Sequence, residues 1–230
     1  MQLQSLGFLL NRHLTRYGRW GRYVNAALFG LLVLLTQPAL GEGPVRILAL
    51  GDSLTAGLGL SRPDSFPARL QQALTERGHS VRVINAGLSG DTSAGGLARI
   101  DWALSAVAGG GPDMVIVELG ANDGLRGLDP EASFNNLDAI LEKLKDKGIA
   151  VLLAGMRAPP NLGREYGRDF NGIYPRLAAK HGVALYPFFL DGVAAVRSLN
   201  QDDGIHPNAE GVDIIVNRMR PYIERLLTKK

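Results

Sequence analysis

From residue 45 onward, short apolar runs alternate with longer stretches whose apolar positions recur every three or four residues. The runs are Val45–Leu50, Val81–Asn85, Met114–Leu119, Ala150–Ala154 and Val183–Tyr186, bounded by Gly, Asp or Pro. They are rich in β-branched residues and leucine and lack a polar alternation, as expected of strands covered on both faces of a parallel sheet. The stretches between them read as helices. Asp129-Pro130-Glu131 is a cap with proline in the first turn, Phe134, Leu137, Leu141 and Leu144 share one face, and Gly148 ends the element. Asn208 caps a last helix whose Val212, Ile215, Met219, Tyr222, Ile223 and Leu226 keep the 3.6-residue period, and Pro221 is expected to kink it. The alternation predicts a three-layer α/β/α sandwich around a five-stranded, parallel, doubly wound sheet of flavodoxin-like form, with right-handed crossovers. No internal repeat, low-complexity tract or second linker interrupts it.

The first 41 residues depart from this pattern. They hold Arg12, Arg16, Arg19 and Arg22, no acid, then the apolar run Ala26–Leu35, a break at Thr36-Gln37-Pro38, and the small-x-small triplet Ala39-Leu40-Gly41. That order is the order of an export signal. Ten residues of helix rise about 15 Å, against the roughly 30 Å of a bilayer core. Counting from Val24 to Leu40 gives 17 residues, so an uncleaved N-terminal anchor is the alternative. The expected organisation is therefore an export segment over 1–41 and a single domain over 42–230, delivered to a bacterial periplasm or the medium. No stable membrane span is expected in the mature protein.

Removing that segment changes the charge. The formal +3 arises from 25 basic and 22 acidic side chains; with four arginines in the segment, the body keeps 21 basic against 22 acidic. A body of that balance is no nucleic-acid binder. The absence of cysteine excludes disulfides, thiolate metal sites and cysteine nucleophiles. Glycine, at 29 of 230 residues, points to many tight loops.

In an open parallel sheet, sites form where strands end at their carboxyl edge. The exits here are Gly51-Asp52-Ser53-Leu54, Gly87-Leu88-Ser89-Gly90-Asp91, Gly120-Ala121-Asn122-Asp123 and Met156-Arg157, joined by Asp202-Asp203-Gly204-Ile205-His206-Pro207 before the last helix. A hydroxyl, a base, an acid and amide donors on one rim are the components of acyl transfer. Of four histidines, His13 lies in the export segment, and His79 and His181 fall at the opposite edge of the sheet, which leaves His206. Ser53 competes with Ser89 and Ser93 as nucleophile, and Asp52-Ser53 could equally be a helix cap. Position 55 is threonine, so the Gly-x-Ser-x-Gly elbow of the common α/β hydrolases is absent. Spacing alone does not choose between Asp202 and Asp203 as the acid that orients His206.

Taken together, Gly51-Asp52-Ser53-Leu54, Gly90, Gly120-Ala121-Asn122-Asp123 and Asp203-Gly204-Ile205-His206 resemble, in order and spacing, the four blocks of the SGNH (GDSL) hydrolases. The likeness spans about residues 46–225 and is nearest to the periplasmic thioesterase I group, which acts as thioesterase, lysophospholipase and arylesterase. Supporting segments are Ser89-Gly-Asp-Thr-Ser93, Val117-Glu-Leu-Gly120 and Asn122-Asp-Gly-Leu-Arg-Gly127. The resemblance implies Ser53 as nucleophile, His206 as base and Asp203 as its orienting acid. It implies the Ser53 and Gly90 N–H groups and the Asn122 amide as oxyanion donors. The implied substrate is a small acyl ester or thioester, handled without metal or other cofactor by a monomer.

Candidate substrate-binding residues are Asp52, Asp123, Leu125, Met156 and Arg157. Asp91 and Asp123 read as loop or capping acids in preference to catalysts, and Asp123 could brace the site. Arg157 either lines the acyl site or pairs with a loop acid. Gly124–Asp129 and Met156–Tyr166 are expected to form the rim, with Leu128 and Leu162 adding apolar surface. Two other chemistries compete. One is a carbohydrate acetylesterase of the same family, and the other a phosphohydrolase holding Mg²⁺ between Asp52, Asp91, Asp123 and Asp203.

Overall fold

The computed structural model describes residues 43–228, so the expected export segment over 1–41, with His13, lies outside the described residues. Five strands form one sheet: β1 (Val45–Gly51), β2 (Val81–Gly87), β3 (Met114–Glu118), β4 (Ala150–Ala154) and β5 (Ala184–Tyr186). All are parallel, in the order β2-β1-β3-β4-β5. Among the described residues seven α-helices lie between the strands, α1 (Ser53–Ala56), α2 (Phe66–Glu76), α3 (Ser93–Ser105), α4 (Ala121–Leu125), α5 (Pro130–Asp146), α6 (Gly163–Asn171) and α7 (Ile173–His181), and α8 (Ala209–Leu227) follows β5. Helix α2 packs on α8, while α3, α5 and α7 pack side by side, giving the expected α/β/α layers.

Continuous burial holds for the inner strands only. Every residue of β3 is buried, as is β1 from Ile47 on. The edge strands β2 and β5 are mostly half-buried, because each has one neighbour instead of two. The outer edge of β2 is partly closed by Gln71, whose side-chain oxygen accepts the N–H of Val83 at 2.9 Å. Capping follows the sequence. Asp129 accepts the N–H of Glu131 at the start of α5, and Asn208 accepts that of Gly211 at the start of α8. Helix α8 runs through Pro221 to Leu227. Pro221 and Asn217, whose carbonyl would lose its bond there, are both exposed, so water can serve that carbonyl.

The chain leaves β1 toward β2 on one side and returns to β3 on the other. The loops after β1 and β3 therefore part, and the switch point between them opens a crevice at the carboxyl edge.

Candidate active site

The turn after β1 is tight. A Cβ on Gly51 would stand 2.1 Å from Thr55 Oγ1 and 2.5 Å from Glu118 Oε2, so only glycine fits at this strand exit. Asp52 is the N-cap of α1, its Oδ1 accepting the N–H of Leu54 at 2.9 Å. The capping reading and the nucleophile reading thus hold together: the cap fixes the turn, and Ser53 stands on its first helical position. Ser53 N–H, a first-turn donor, has no acceptor among the described residues.

His206 arrives from the loop before α8. That loop is closed by the Asn200–Pro207 bridge and by Gln201 N–H donating to His206 O at 2.8 Å. His206 Nε2 is 2.8 Å from Ser53 Oγ, and Nδ1 is 2.7 Å from Asp203 Oδ2. Asp203 Oδ1 also accepts the N–H groups of Ile205 (2.9 Å) and His206 (3.0 Å). The His206 backbone donor, then its ring, then the Ile205 donor hold the Asp203 carboxyl down at about 2. Asp202 is exposed and makes no side-chain hydrogen bond among the described residues. Of the three serines, Ser89 is exposed outside the cleft, and buried Ser93 donates to Asp123. Only Ser53 meets the imidazole.

Two further donors approach the serine. Gly90 has φ +85, a left-handed conformation that costs glycine little, and its N–H has no acceptor among the described residues. A Cβ there would meet only Arg126 Nη2, at 3.7 Å. The left-handed backbone at 90 by itself favours glycine. Asn122, in the first turn of α4, donates through Nδ2 to Asp52 Oδ2 (3.1 Å) and to Asp91 O (2.9 Å). The loops after β1, β2 and β3 are thereby tied through one amide.

The reactive groups sit at the floor of a cleft of about 510 Å³. Its walls include Leu54, Leu58, Leu125, Met156, Phe188 and Leu190. Of the expected substrate contacts, Leu125, Met156 and Arg157 line it. Arg157 has no acid partner among the described residues and lies over the Phe188 ring, 4.8 Å from its centroid.

Asp52 and Asp123 do not line the cleft. Asp52 is wholly buried beneath the serine turn. Asp123 is buried among Ser93 N (2.8 Å), Ser93 Oγ and Ser133 Oγ (3.0 Å), bracing the loops after β2 and β3. Leu128 and Leu162 also lie outside the lining. Asp91 is a loop acid, with Arg99 Nε at 2.6 Å. The acids of the magnesium alternative thus face separate partners, and no group of three metal-ligating side chains forms among the described residues.

Reading the sequence missed three contributors. Arg99, on α3, donates to Asp91, to Ala86 O (2.8 Å) and to Gly51 O (2.8 Å), clamping the exits of β1 and β2. Glu118 is buried at the end of β3, and its charge inside an apolar run was a legible signal. Phe188 supplies cleft wall from the loop after β5, which no periodicity marks.

The GDSL-like lipase/acylhydrolase family model matches residues 49–214. The chain is 42% identical over 196 residues to "Esterase TesA" of Pseudomonas aeruginosa, covering 85% of this chain and 94% of the relative. It is 40% identical over 199 residues to "Thioesterase 1/protease 1/lysophospholipase L1" of Escherichia coli K12, covering 86% and 92%. Among solved structures, the SGNH-hydrolase family esterase AlinE4 superposes with a TM-score of 0.69 at 49% identity, covering 82% of this chain and 99% of that one. A serine–histidine–aspartate array on this sheet, with a family match over most of the chain, leads to one conclusion: the protein belongs to the GDSL-like lipase/acylhydrolase (SGNH) family of carboxylic ester hydrolases.

Proposed function

We propose that the protein hydrolyses acyl esters and thioesters through an acyl-enzyme on Ser53, with arylesterase, thioesterase and lysophospholipase substrates as its class. The observation that carries this is the continuous line Asp203–His206–Ser53, with contacts of 2.7 and 2.8 Å, at the floor of a mainly apolar cleft. His206 Nε2 takes the Ser53 proton as Oγ attacks the acyl carbonyl. The oxyanion that forms is met by the N–H groups of Ser53 and Gly90 and by Asn122 Nδ2, which keeps one N–H on Asp52 and turns the other from Asp91 O to the oxyanion. The imidazolium then protonates the departing alcohol or thiol. Water, deprotonated by the same ring, releases the acid and restores Ser53. The apolar walls suit an acyl chain better than a sugar, which favours this reading over a carbohydrate acetylesterase. Residues 1–41 are proposed to export the domain that follows, on the order of their basic stretch, apolar run and small-x-small triplet.

A chain-length series of p-nitrophenyl esters and acyl-CoAs tests the function. Turnover of both classes, stopped by a serine-directed phosphonate, is the expected result. Failure to hydrolyse any member, or turnover untouched by the phosphonate, overturns it. The adjacent acids give a sharper test of the site. Asp203→Asn is expected to lower kcat by at least about tenfold, less than the ~10⁴ of the serine-protease precedent, because Asp203 and His206 share one closed loop. Asp202→Asn should leave kcat unchanged. Equal responses would move the orienting role away from Asp203. An Asp held near 2 loses its charge only as pH falls through that value, so this orienting charge is constant across ordinary assay pH.

A further inference from the structure

Two carboxyl groups lie beneath the nucleophile, outside the cleft, and the reaction as described uses neither. Asp52 follows β1 and Glu118 ends β3, where Gly51 pairs with Glu118 across the sheet. Both are fully buried. Glu118 Oε2 lies 2.6 Å from Thr55 Oγ1 and accepts the N–H of Asp52 at 3.4 Å, while Glu118 Oε1 is buried with no partner among the described residues. Asp52 is better served: Oδ1 accepts Leu54 N–H and Oδ2 accepts Asn122 Nδ2.

The other charged or titratable groups around the pair are spoken for. Arg99 is bound to Asp91 and two carbonyls, and Asp91 adds a repulsive charge toward Asp52. His206 is engaged with Ser53 and Asp203. The Tyr174 hydroxyl donates to Leu119 O at 2.9 Å. Two neighbouring carboxylates in a dry site do not both ionise, and the charge settles on the one with donors on both oxygens.

We propose that Asp52 is a positioning residue for the oxyanion amide: Glu118 keeps the proton of the pair, Asp52 keeps the charge, and its carboxylate holds one N–H of Asn122 Nδ2 so that the other, on Asp91 O in the free protein, turns to the reacting carbonyl. This deepens the catalytic reading and rests on Asn122 being an oxyanion donor. The contact between Glu118 and Thr55 persists, since either hydroxyl can donate. Burial is the main cause that raises Asp52, to about 6, and burial followed by the Asp52 charge lifts Glu118 well above the usual carboxylate range. An ionised Asp52 thus has a cause to remain next to a neutral Glu118 at neutral pH.

Difference infrared spectra at neutral pH test where the proton resides. Wild type minus Glu118→Gln should contain a carboxylic-acid carbonyl band, and wild type minus Asp52→Asn a carboxylate band. Loss of the acid band on changing Asp52, or no acid band in either spectrum, overturns the assignment. Kinetics test the positioning. Asp52→Asn should lower kcat about tenfold with KM within about twofold, because a poorly held donor is missed mainly in the transition state. Unchanged kcat in Asp52→Asn beside an impaired Asn122→Ala overturns the positioning role alone. Unchanged kcat in both overturns the oxyanion reading beneath it.

Stability gives an independent sign. A native value raised above the unfolded one means that ionising Asp52 lowers stability progressively as pH rises from about 4 toward 6. The melting temperature of Asp52→Asn, measured against wild type, should therefore rise with pH across that window. A flat difference overturns a buried, ionising Asp52.

Discussion

Replacing Ser53 with alanine is expected to lower kcat for ester hydrolysis by about 10⁴ to 10⁶-fold, with the fold intact. The change removes the attacking oxygen and puts nothing in its place. Ser89 stands exposed outside the cleft, and Ser93 is held by Asp123, so neither can take over. Stability should hardly move. The side chain is nearly buried, its one side-chain hydrogen bond is to His206, and that ring retains Asp203. The backbone turn is fixed by the Asp52 cap and by Glu118, both of which remain. Steady-state rates with circular dichroism on the same preparation check this, together with mass spectrometry of the phosphonate adduct on wild type. Activity above roughly one part in a hundred of wild type would reject Ser53 as nucleophile.

The second large effect is expected at Asn122. Asn122→Ala should reduce kcat by about 10² to 10³-fold while KM changes little, since the missing hydrogen bond strengthens as charge develops on the substrate oxygen. Unlike the serine change, this one also costs stability. It strips one donor from buried Asp52 Oδ2 and leaves Asp91 O without its amide partner, each a loss on the order of 1 kcal/mol. The assay therefore belongs well below the variant's melting temperature. A loss confined to KM would assign Asn122 to ground-state binding and leave the oxyanion to Ser53 and Gly90.

These two effects differ in kind because the residues were legible to different degrees. His206 could be picked out by type and by position, whereas Ser53 stood beside Ser89 and Ser93 until the family resemblance selected it, 153 residues from its base. Asn122 was legible as a neutral donor at the end of β3. Its grip on Asp52 and Asp91 was not, because that depends on three loops meeting over one point. Asp52 and Asp123 were expected to touch substrate, being acids beside the reactive positions. Both turned inward, where the turn N–H groups and serine hydroxyls they serve are located.

The five strands and the two helices capped by Asp129 and Asn208 followed from the sequence alone to within a residue or two, as did the parallel character of the sheet, while the other helices were read only as stretches between strands. Those features arise from neighbours within one turn or one pleat, and the apolar period records them directly. Which strands lie at the edges was decided only by the order β2-β1-β3-β4-β5, since local pattern does not encode a strand's second neighbour. The same holds for the Arg99 clamp and the pairing of Asp52 with Glu118, 66 residues apart. Such contacts exist because two crossovers bring separate strand exits to one edge. Their chemistry, a buried charge beside a buried proton, is a property of that shared low-dielectric space and of no single segment.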